Sequence, residues 1–411
     1  MTPSLDEHFF RREYGKLVST LSRRLGMHHL ELIEDAAQSA LVAALESWTR
    51  GGVPDNPSGW LFRAAFNHAL GELRTSARRA RLAEKHFEAE QRDDDDPAEL
   101  LATEVRDDLL RMLFACCDDA IPVEAQLVIA LKVLCGFDVR EIAERLFVTE
   151  ANVYKRLGRA RSRLRALSFP PDDLSAEQLS GRLPAVHAIL YLLFTEGHLS
   201  SHEQEAIRRG LCDEAKRLTE LLADHPAFAT PETFALLALM YLHSARMAAR
   251  QDASGGLLLL EEQDRSLWDT EQIATGLAWL ARSAQGEHFS RYPAEAGIAA
   301  EHCLAPSFSE TRWDRIVGSY EILDRLAPSP LHTLNRAIAT AEWRGPRAGL
   351  EVIDGLAPPS WLEGSYLWAA VLADLHHRCG HEERAAIHRE AALAAAPSEA
   401  VRALLRRRFA R

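Results

Sequence analysis

Residues 138–165 constrain this 411-residue chain more than any other stretch, because they read as two helices joined by a tight turn. Asp138 and Glu141 form a D-x-x-E helix start, in which the aspartate accepts hydrogen bonds from free backbone N–H groups. Thr149 is a suitable N-cap for a second helix. One apolar stripe of that helix, at spacings of four, three and four, consists of Val153, Leu157, Ala160 and Leu164.

The other faces of the second helix are predicted to be exposed and cationic. No acidic residue lies between Ala151 and Arg165, a segment that carries Asn152, Lys155, Arg156, Arg159, Arg161 and Arg163. A short capped helix followed by a basic one is typical of a helix-turn-helix, whose second helix lies in the DNA major groove. The alternative is an ordinary solvated helix, but such faces usually mix charges of both signs.

Composition and charge set limits on the rest of the chain. Its length favours two or three domains, and 47% hydrophobic residues are ample for packed cores. The net charge of −12 is unusual for a protein that simply coats nucleic acid, but residues 169–411 hold 24 basic and 33 acidic residues, so the acid lies away from the basic helix. Six cysteines without a C-x-x-C pair indicate a reducing cytoplasm. Neither a signal peptide nor a membrane span is predicted.

The first 80 residues are predicted to be helical. In the helix over 30–48, Leu41 and Leu45 belong to the predicted inner side, and Glu34, Asp35 and Gln38 to the outer side. A polar loop over 49–57 follows. The next helix, over 58–79, ends in three arginines, Arg74, Arg78 and Arg79.

Two blocks of this region carry a resemblance to a known family. EDAAQSALVAALESW and PDNPSGWLFRAAFNHALGELR resemble the second conserved region of extracytoplasmic-function sigma factors of bacterial RNA polymerase, and the helix-turn-helix resembles their fourth region. The resemblance implies an all-α protein that binds core RNA polymerase and directs promoter recognition. It implies cytoplasmic localisation and no cofactor.

The resemblance also implies roles for particular residues. A polymerase-binding face would contain Glu34, Asp35, Gln38 and Leu41. Contacts to the opened downstream promoter element would come from Trp48, Asn56, Trp60, Asn67, Arg74, Arg78 and Arg79, since stacking and arginine cations favour unpaired bases. The upstream element would be read by Thr149, Asn152, Lys155, Arg156, Arg159 and Arg163.

Between the two blocks, residues 81–105 hold 3 basic and 9 acidic residues, among them four consecutive aspartates from Asp93. This composition predicts a flexible linker rather than a metal site, because a floppy tract enforces no coordination geometry. In the following domain, residues 106–168, Cys116 and Cys117 are expected to be packing residues rather than a redox switch, since nothing basic adjoins them. Phe147 stands where many family members place glycine, so the turn is expected to differ slightly from theirs or to be braced by Phe147 packing inward.

Residues 169–181 contain two prolines and then two acids, and are interpreted as a second linker. Residues 182–411 again read as helices with short turns. Gly345 and Gly380 lie 35 residues apart, close to the 34-residue tetratricopeptide period, so a degenerate helical array is predicted. The resemblance implies that this extension modulates polymerase binding or responds to a regulatory protein or ligand.

No catalytic motif is found, so an enzyme is the least favoured class. His381 and His388 could share a helix face, but a solvated surface is the preferred interpretation over a metal site. Six tryptophans are assigned to cores rather than to a ligand cage: Trp268, Trp279, Trp313, Trp343, Trp361 and Trp368. Two other classes stay open: a stand-alone helix-turn-helix regulator with a sensing domain, and a helical scaffold that binds no DNA.

Overall fold

A computed structural model describes residues 7–83, 108–146, 148–166, 176–198, 207–252, 256–285, 290–356 and 358–410. Within these ranges the chain forms helices and turns without a β-strand, apart from one isolated bridge between Gln251 and Leu257. The predicted all-α class is therefore confirmed. Among the described helices, none combines the length and the apolar character needed to cross a membrane.

The chain divides into two compact units, residues 1–193 and 194–411. The first unit begins with α1 (Glu7–Leu25), α2 (Leu30–Gly51) and α3 (Pro57–Ala83). A helix that includes residues 108–116, α4, is followed by α5 (Val123–Val133), α6 (Val139–Arg145) and α7 (Glu150–Arg165). Most of α8 (Ala176–His198) also belongs to this unit.

The second unit is a succession of helices in which neighbours along the chain pack on one another. They are α9 (Arg209–Asp224), α10 (Pro231–Ser244), α11 (Thr270–Ser283), α12 (Arg291–Leu304), α13 (Trp313–Leu326), α14 (Pro330–Arg344), α15 (Pro346–Ile353), α16 (Ser360–Glu363), α17 (Tyr366–Arg378), α18 (Glu382–Ala394) and α19 (Glu399–Phe409). The turn glycines Gly345 and Gly380 have φ values of 95° and 77°, a region that favours glycine.

Within the first unit, residues of α1 contact the helix-turn-helix half, which comprises the described residues from 108 to 166. Gly15 of α1 lies so close to Leu134 that a Cβ there would stand 2.1 Å from the Leu134 carbonyl oxygen. Arg11 donates hydrogen bonds of 2.9 and 3.0 Å to the two carboxylate oxygens of Glu141. Arg23 pairs with the buried Asp108 at 2.9 Å. The two regions that the sequence predicted as separate domains therefore form one compact unit.

Helix α8 connects to the helix-turn-helix half through Arg182, which is 5% exposed. Its guanidinium donates a 2.8 Å hydrogen bond to Asp118 and a 3.1 Å hydrogen bond to the carbonyl oxygen of Phe114. The helix begins at Ala176, so its first turn lies inside the segment interpreted as a linker. The acidic tract 93–96 and Phe147 lie outside the described residues.

Candidate nucleic-acid interface

The helix-turn-helix is built by two helix caps. The Glu141 backbone N–H donates a 2.7 Å hydrogen bond to Asp138 Oδ1, and the Asp138 N–H donates a 2.8 Å hydrogen bond to Glu141 Oε2. This reciprocal capping box starts α6. Thr149 caps α7 by accepting a 3.3 Å hydrogen bond from the Asn152 N–H. The predicted stripe of α7 is buried: Val153, Leu157, Ala160 and Leu164.

The N-terminal half of α7 presents an unpaired cationic face. Asn152, Lys155 and Arg159 are exposed and Arg156 is half-buried. Within the described part of the chain, their side chains form no ion pair and no hydrogen bond with another residue. Positions 152, 156 and 159 share one face of a helix, so an amide and two guanidinium groups point the same way. Such groups match the donor needs of base edges and phosphates in a major groove.

The C-terminal half of α7 is different, because its arginines are paired within the protein. Arg161 pairs with Glu34 at 2.8 Å, Arg163 pairs with Asp118 at 3.1 Å, and Arg165 pairs with Glu31. The cations of α7 thus fall into two groups. Those of the open half, Lys155, Arg156 and Arg159, have no carboxylate partner among the described residues, and those of the engaged half, Arg161, Arg163 and Arg165, form ion pairs. Arg163, expected to read the upstream element, is instead held by a buried carboxylate.

Glu34 was expected on the outer side of α2, and the structure corrects this. Its side chain is 4% exposed, and it accepts hydrogen bonds from Arg161 at 2.9 Å and from the Tyr14 hydroxyl at 3.4 Å. Burial raises the pKa of Glu34, and the Arg161 guanidinium opposes that rise. Glu34 is therefore a buried partner of α7 in this structure.

The exposed face of α2 carries a stripe that the sequence analysis assigned in part to the inside. Asp35 and Gln38 are exposed as expected, and Leu41 is half-buried. Val42 and Leu45 are 56% and 53% exposed. Positions 35, 38, 42 and 45 follow spacings of three and four, so they form one face of the helix. Leu45, predicted on the inner side, is therefore exposed, and Val42 adds a second exposed apolar side chain that was not predicted.

The predicted downstream contacts fall into two groups. Trp48 is 5% exposed and packs against Phe9, Phe10 and Trp60, with ring centroids 5.5–6.2 Å apart. It is a core residue rather than a surface contact. Asn56 accepts a 2.8 Å hydrogen bond from the Gly59 N–H and so caps the first turn of α3, which gives this exposed amide a structural role.

The remaining downstream candidates lie on α3. Trp60 is half-buried, whereas Asn67, Arg74 and Arg78 are exposed. Arg63 is also exposed, three residues after Trp60 and four before Asn67, so it belongs to the same face. The spacing of Arg63 from Trp60 and Asn67 would have allowed this residue to be predicted from the sequence. The side chain of Arg79 lies outside the described residues.

Cysteine and histidine positions were also weighed as sites of chemistry. Cys116 and Cys117 are buried, and burial raises the pKa of the Cys117 thiol to about 12 and that of Cys116 well above its usual value. They are packing residues with little thiolate character. His381 lies 3.2 Å from His376, nitrogen to nitrogen, and His388 stacks on His376. No group of three or more potential metal ligands is found among the described residues.

The predicted core tryptophans do not all lie in cores. Trp268 is 5% exposed, whereas Trp343 is 43% exposed. Trp279, Trp313 and Trp368 are half-buried, and the side chain of Trp361 lies outside the described residues.

Comparisons with known proteins agree with this geometry. Residues 111–164, which contain α5, α6 and most of α7, match the family described as sigma-70, region 4, and residues 182–284 match a family of unknown function (DUF6596). An uncharacterized protein of Rhizobium meliloti (strain 1021) is 35% identical over 394 residues, which cover 93% of this chain and 92% of that protein. No solved structure matches the chain. The chain therefore belongs to the same family as that Rhizobium meliloti protein, and its region 4 makes it a sigma-factor-like, DNA-binding transcription protein.

Proposed function

We propose that this chain is an RNA polymerase sigma factor of the extracytoplasmic-function type, which binds core polymerase and directs promoter recognition. The observation that carries the proposal is the open half of α7 inside the region 4 match, where Asn152, Arg156 and Arg159 are unpaired among the described residues. A region that binds DNA needs such uncommitted donors. The cations of the other half are already neutralised by carboxylates.

The exposed stripe of α2 supports a polymerase-docking role. It combines acidic and amide groups, Asp35 and Gln38, with two exposed apolar side chains, Val42 and Leu45. Exposed apolar groups beside polar ones are typical of a protein interface. The half of α7 that pairs with α2 uses Glu31 and Glu34, so this stripe stays uncovered by those contacts.

The face of α3 supports contact with unpaired promoter DNA. Trp60 offers a ring for stacking, Asn67 offers an amide, and Arg63, Arg74 and Arg78 offer cations along the same side. Aromatic and arginine side chains are the groups that hold single strands with little sequence preference. This face would act on the downstream element while α7 acts on the upstream one.

Reconstituted transcription tests the proposal. The purified chain is added to bacterial core polymerase on a library of duplex templates, and run-off products are sequenced. We expect transcripts from one class of promoter only when both proteins are present. Specific duplex binding by the chain alone, with no gain from polymerase, would instead indicate a stand-alone regulator.

We also propose that the second unit modulates this activity. A truncation that removes residues 199–411 tests this modulation. It retains Arg182, so the buried ion pair between Arg182 and Asp118 is kept. Higher run-off activity in the truncated chain would mark the second unit as an inhibitor, and lower activity would mark it as required. Unchanged activity would refute a modulating role.

A further inference from the structure

A cluster of nitrogen-bearing side chains lies in the second unit, at the ends of α8, α10 and α12 and in the turns after α10. All of its members are half-buried. The ring of His198 lies 4.6 Å from that of His243, and Arg250 donates a hydrogen bond to the His198 carbonyl oxygen. This arginine–histidine cluster consists of Arg246, Arg250, Arg265, His198, His243 and His302.

In the described part of the chain, none of the three guanidinium groups forms an ion pair with a carboxylate. Arg265 Nη1 instead donates hydrogen bonds of 2.8 and 2.6 Å to the carbonyl oxygens of His302 and Ala305. Arg246 and Arg265 lie over the same ring, that of Trp268, at 5.2 and 4.4 Å from its centroid. Two like charges thus share one aromatic side chain. Each guanidinium gains from the aromatic face, but the two like charges repel each other, and an anion beside them would offset that repulsion.

Many donors of the cluster are also unsatisfied. The Arg246 guanidinium donates no hydrogen bond to any described residue, and its Nε is inaccessible to solvent. Arg265 Nη2 and the Nδ1 atoms of His198, His243 and His302 are equally buried without a partner. Buried polar atoms are nearly always hydrogen-bonded in folded proteins, so each unpartnered atom needs an explanation. Here five such atoms share one site.

The pKa values of the cluster's histidines and of Arg250 are lowered, as expected where buried cations lie close together without a carboxylate. Burial and neighbouring arginines lower the pKa of His243 and of His302 to about 3. Burial also lowers the pKa of Arg250 to about 10. The imidazoles are therefore neutral near pH 7 and can each offer one N–H, while the guanidinium groups stay charged.

We propose that this cluster binds a phosphate group of a small molecule. Guanidinium forks match the tetrahedral oxygens of phosphate, and imidazole N–H groups complete the set of donors. A dianion would neutralise two of the three arginines and satisfy the buried nitrogens at once. The site stands apart from the proposed function, because binding is measurable without polymerase or DNA.

Two observations favour a small molecule over a nucleic acid. The unpartnered atoms are shielded from solvent, so any anion reaches them only when neighbouring side chains shift, and a small anion requires a smaller shift than a duplex backbone. Residues 169–411 also carry an excess of acid, 33 against 24 basic residues, which repels a polyanion. Of the cluster, His302 also lines a cavity of about 730 Å³, whose other walls include the aromatic rings of Phe308 and Trp313 and the carboxylates of Glu261, Glu342 and Asp374. The part of a ligand that enters this cavity would therefore be its uncharged or amine-bearing part, while the phosphate stays at the arginines.

Isothermal titration of the full chain with inorganic phosphate, against chloride at equal ionic strength, tests the proposal. Arg246→Gln removes a cation that donates to no described residue. Arg282→Gln is the matched control, because Arg282 also lies over aromatic rings, 4.2 Å from Phe234 and 4.4 Å from Trp279. We expect phosphate to bind the wild type and the control equally. In Arg246→Gln the dissociation constant should rise at least tenfold.

Thermal unfolding separates a ligand site from a structural role. Phosphate should raise the Tm of the wild type but not that of Arg246→Gln. Without phosphate the variant should unfold no earlier than the wild type, since it loses an uncompensated charge. A lower Tm of the variant in chloride, or equal wild-type Tm values in the two salts, would overturn the proposal.

Competition identifies the source of the phosphate. Adenosine monophosphate and a short duplex DNA are each titrated against bound phosphate in the full chain. Displacement by the nucleotide but not by the duplex supports a small-molecule site. Displacement by the duplex, abolished in Arg246→Gln, would show a nucleic-acid surface and refute the proposal.

Discussion

Arg161 of α7 donates a 2.9 Å hydrogen bond to Glu34 of α2, 127 residues earlier in the chain. Glu34 is 4% exposed at its side chain and Arg161 is 24% exposed, so the pair is largely shielded from water. It joins the helix expected to read DNA to the helix expected to bind polymerase. Arg11 and Glu141 make a second such connection between the two halves of the first unit.

Arg161→Ala should destabilise the first unit, because among the described residues it leaves the buried Glu34 carboxylate with one hydrogen-bond donor, the Tyr14 hydroxyl, and with Lys132 as a nearby cation. We expect a loss of roughly 1.5–3 kcal/mol in the free energy of unfolding at pH 8. Hydrogen exchange of peptides from α2, followed by mass spectrometry, measures this loss of stability in the first unit. Arg165→Ala is the control, since its pair with Glu31 is about half exposed and worth less than about 1 kcal/mol.

The penalty in Arg161→Ala should also depend on pH. Burial already raises the pKa of Glu34, and loss of the guanidinium raises it further. The protonated side chain costs little to bury, so the penalty is small at low pH and grows as pH rises through the folded-state pKa. Equal destabilisation at pH 5 and pH 8 would show that Glu34 is not the group responsible.

Arg156→Ala should weaken promoter binding by the polymerase-bound chain, because Arg156 is unpaired among the described residues and lies on the open face of α7. We expect a loss of about 1–3 kcal/mol on the preferred sequence. Arg163→Ala, which breaks the pair with Asp118, should change DNA affinity less. Fluorescence anisotropy on matched and altered duplexes measures both. An equal loss on every sequence would make Arg156 a phosphate contact.

Leu45→Arg should impair assembly with core polymerase. Leu45 is 53% exposed, so the substitution should change the stability of the free chain by less than about 0.5 kcal/mol. A buried charge in the docked interface should raise the dissociation constant for core polymerase at least tenfold. Leu267→Arg, at a 55% exposed position of the second unit, is the control. Normal assembly of Leu45→Arg would exclude this stripe of α2 from the interface.

The second unit should lose stability in acid. The pKa values of His243 and His302, near 3, lie below the ordinary value of about 6.5 expected in the unfolded chain. Folded molecules therefore bind fewer protons, and stability is full above pH 6.5 and falls as pH drops toward 3. The slope should approach about 1.4 kcal/mol per pH unit for each histidine.

Urea unfolding in phosphate-free buffer at pH 7.5 and pH 5.5 measures this slope. His243→Gln should lose less stability than the wild type between the two pH values, because it lacks one of the titrating groups. His68→Gln, at an exposed position of α3, should behave as the wild type. The same pH dependence in all three proteins would contradict the assignment.

Local sequence rules predicted the helix-turn-helix well. The caps at Asp138 and Thr149 and the stripe from Val153 to Leu164 depend on residues three or four positions apart, and all are observed. Local periodicity was less reliable on α2. There Glu34 is buried and Leu45 exposed, the reverse of what their polarity suggests. Trp48, to which the resemblance assigned a promoter contact, is buried against Phe9 and Phe10 of α1.

The helices, their caps and the cationic helix after the turn depend on neighbours within one or two turns of the chain, so they can be predicted from the amino-acid order. Which cations of α7 stay open depends instead on side chains that are distant in the chain. Arg161 and Arg163 are engaged because Glu34 and Asp118 are brought beside them from 127 and 45 residues away. Folding also brings Arg246 and Arg265 together over Trp268 with no carboxylate of the described residues paired to them, which a linear pattern does not reveal.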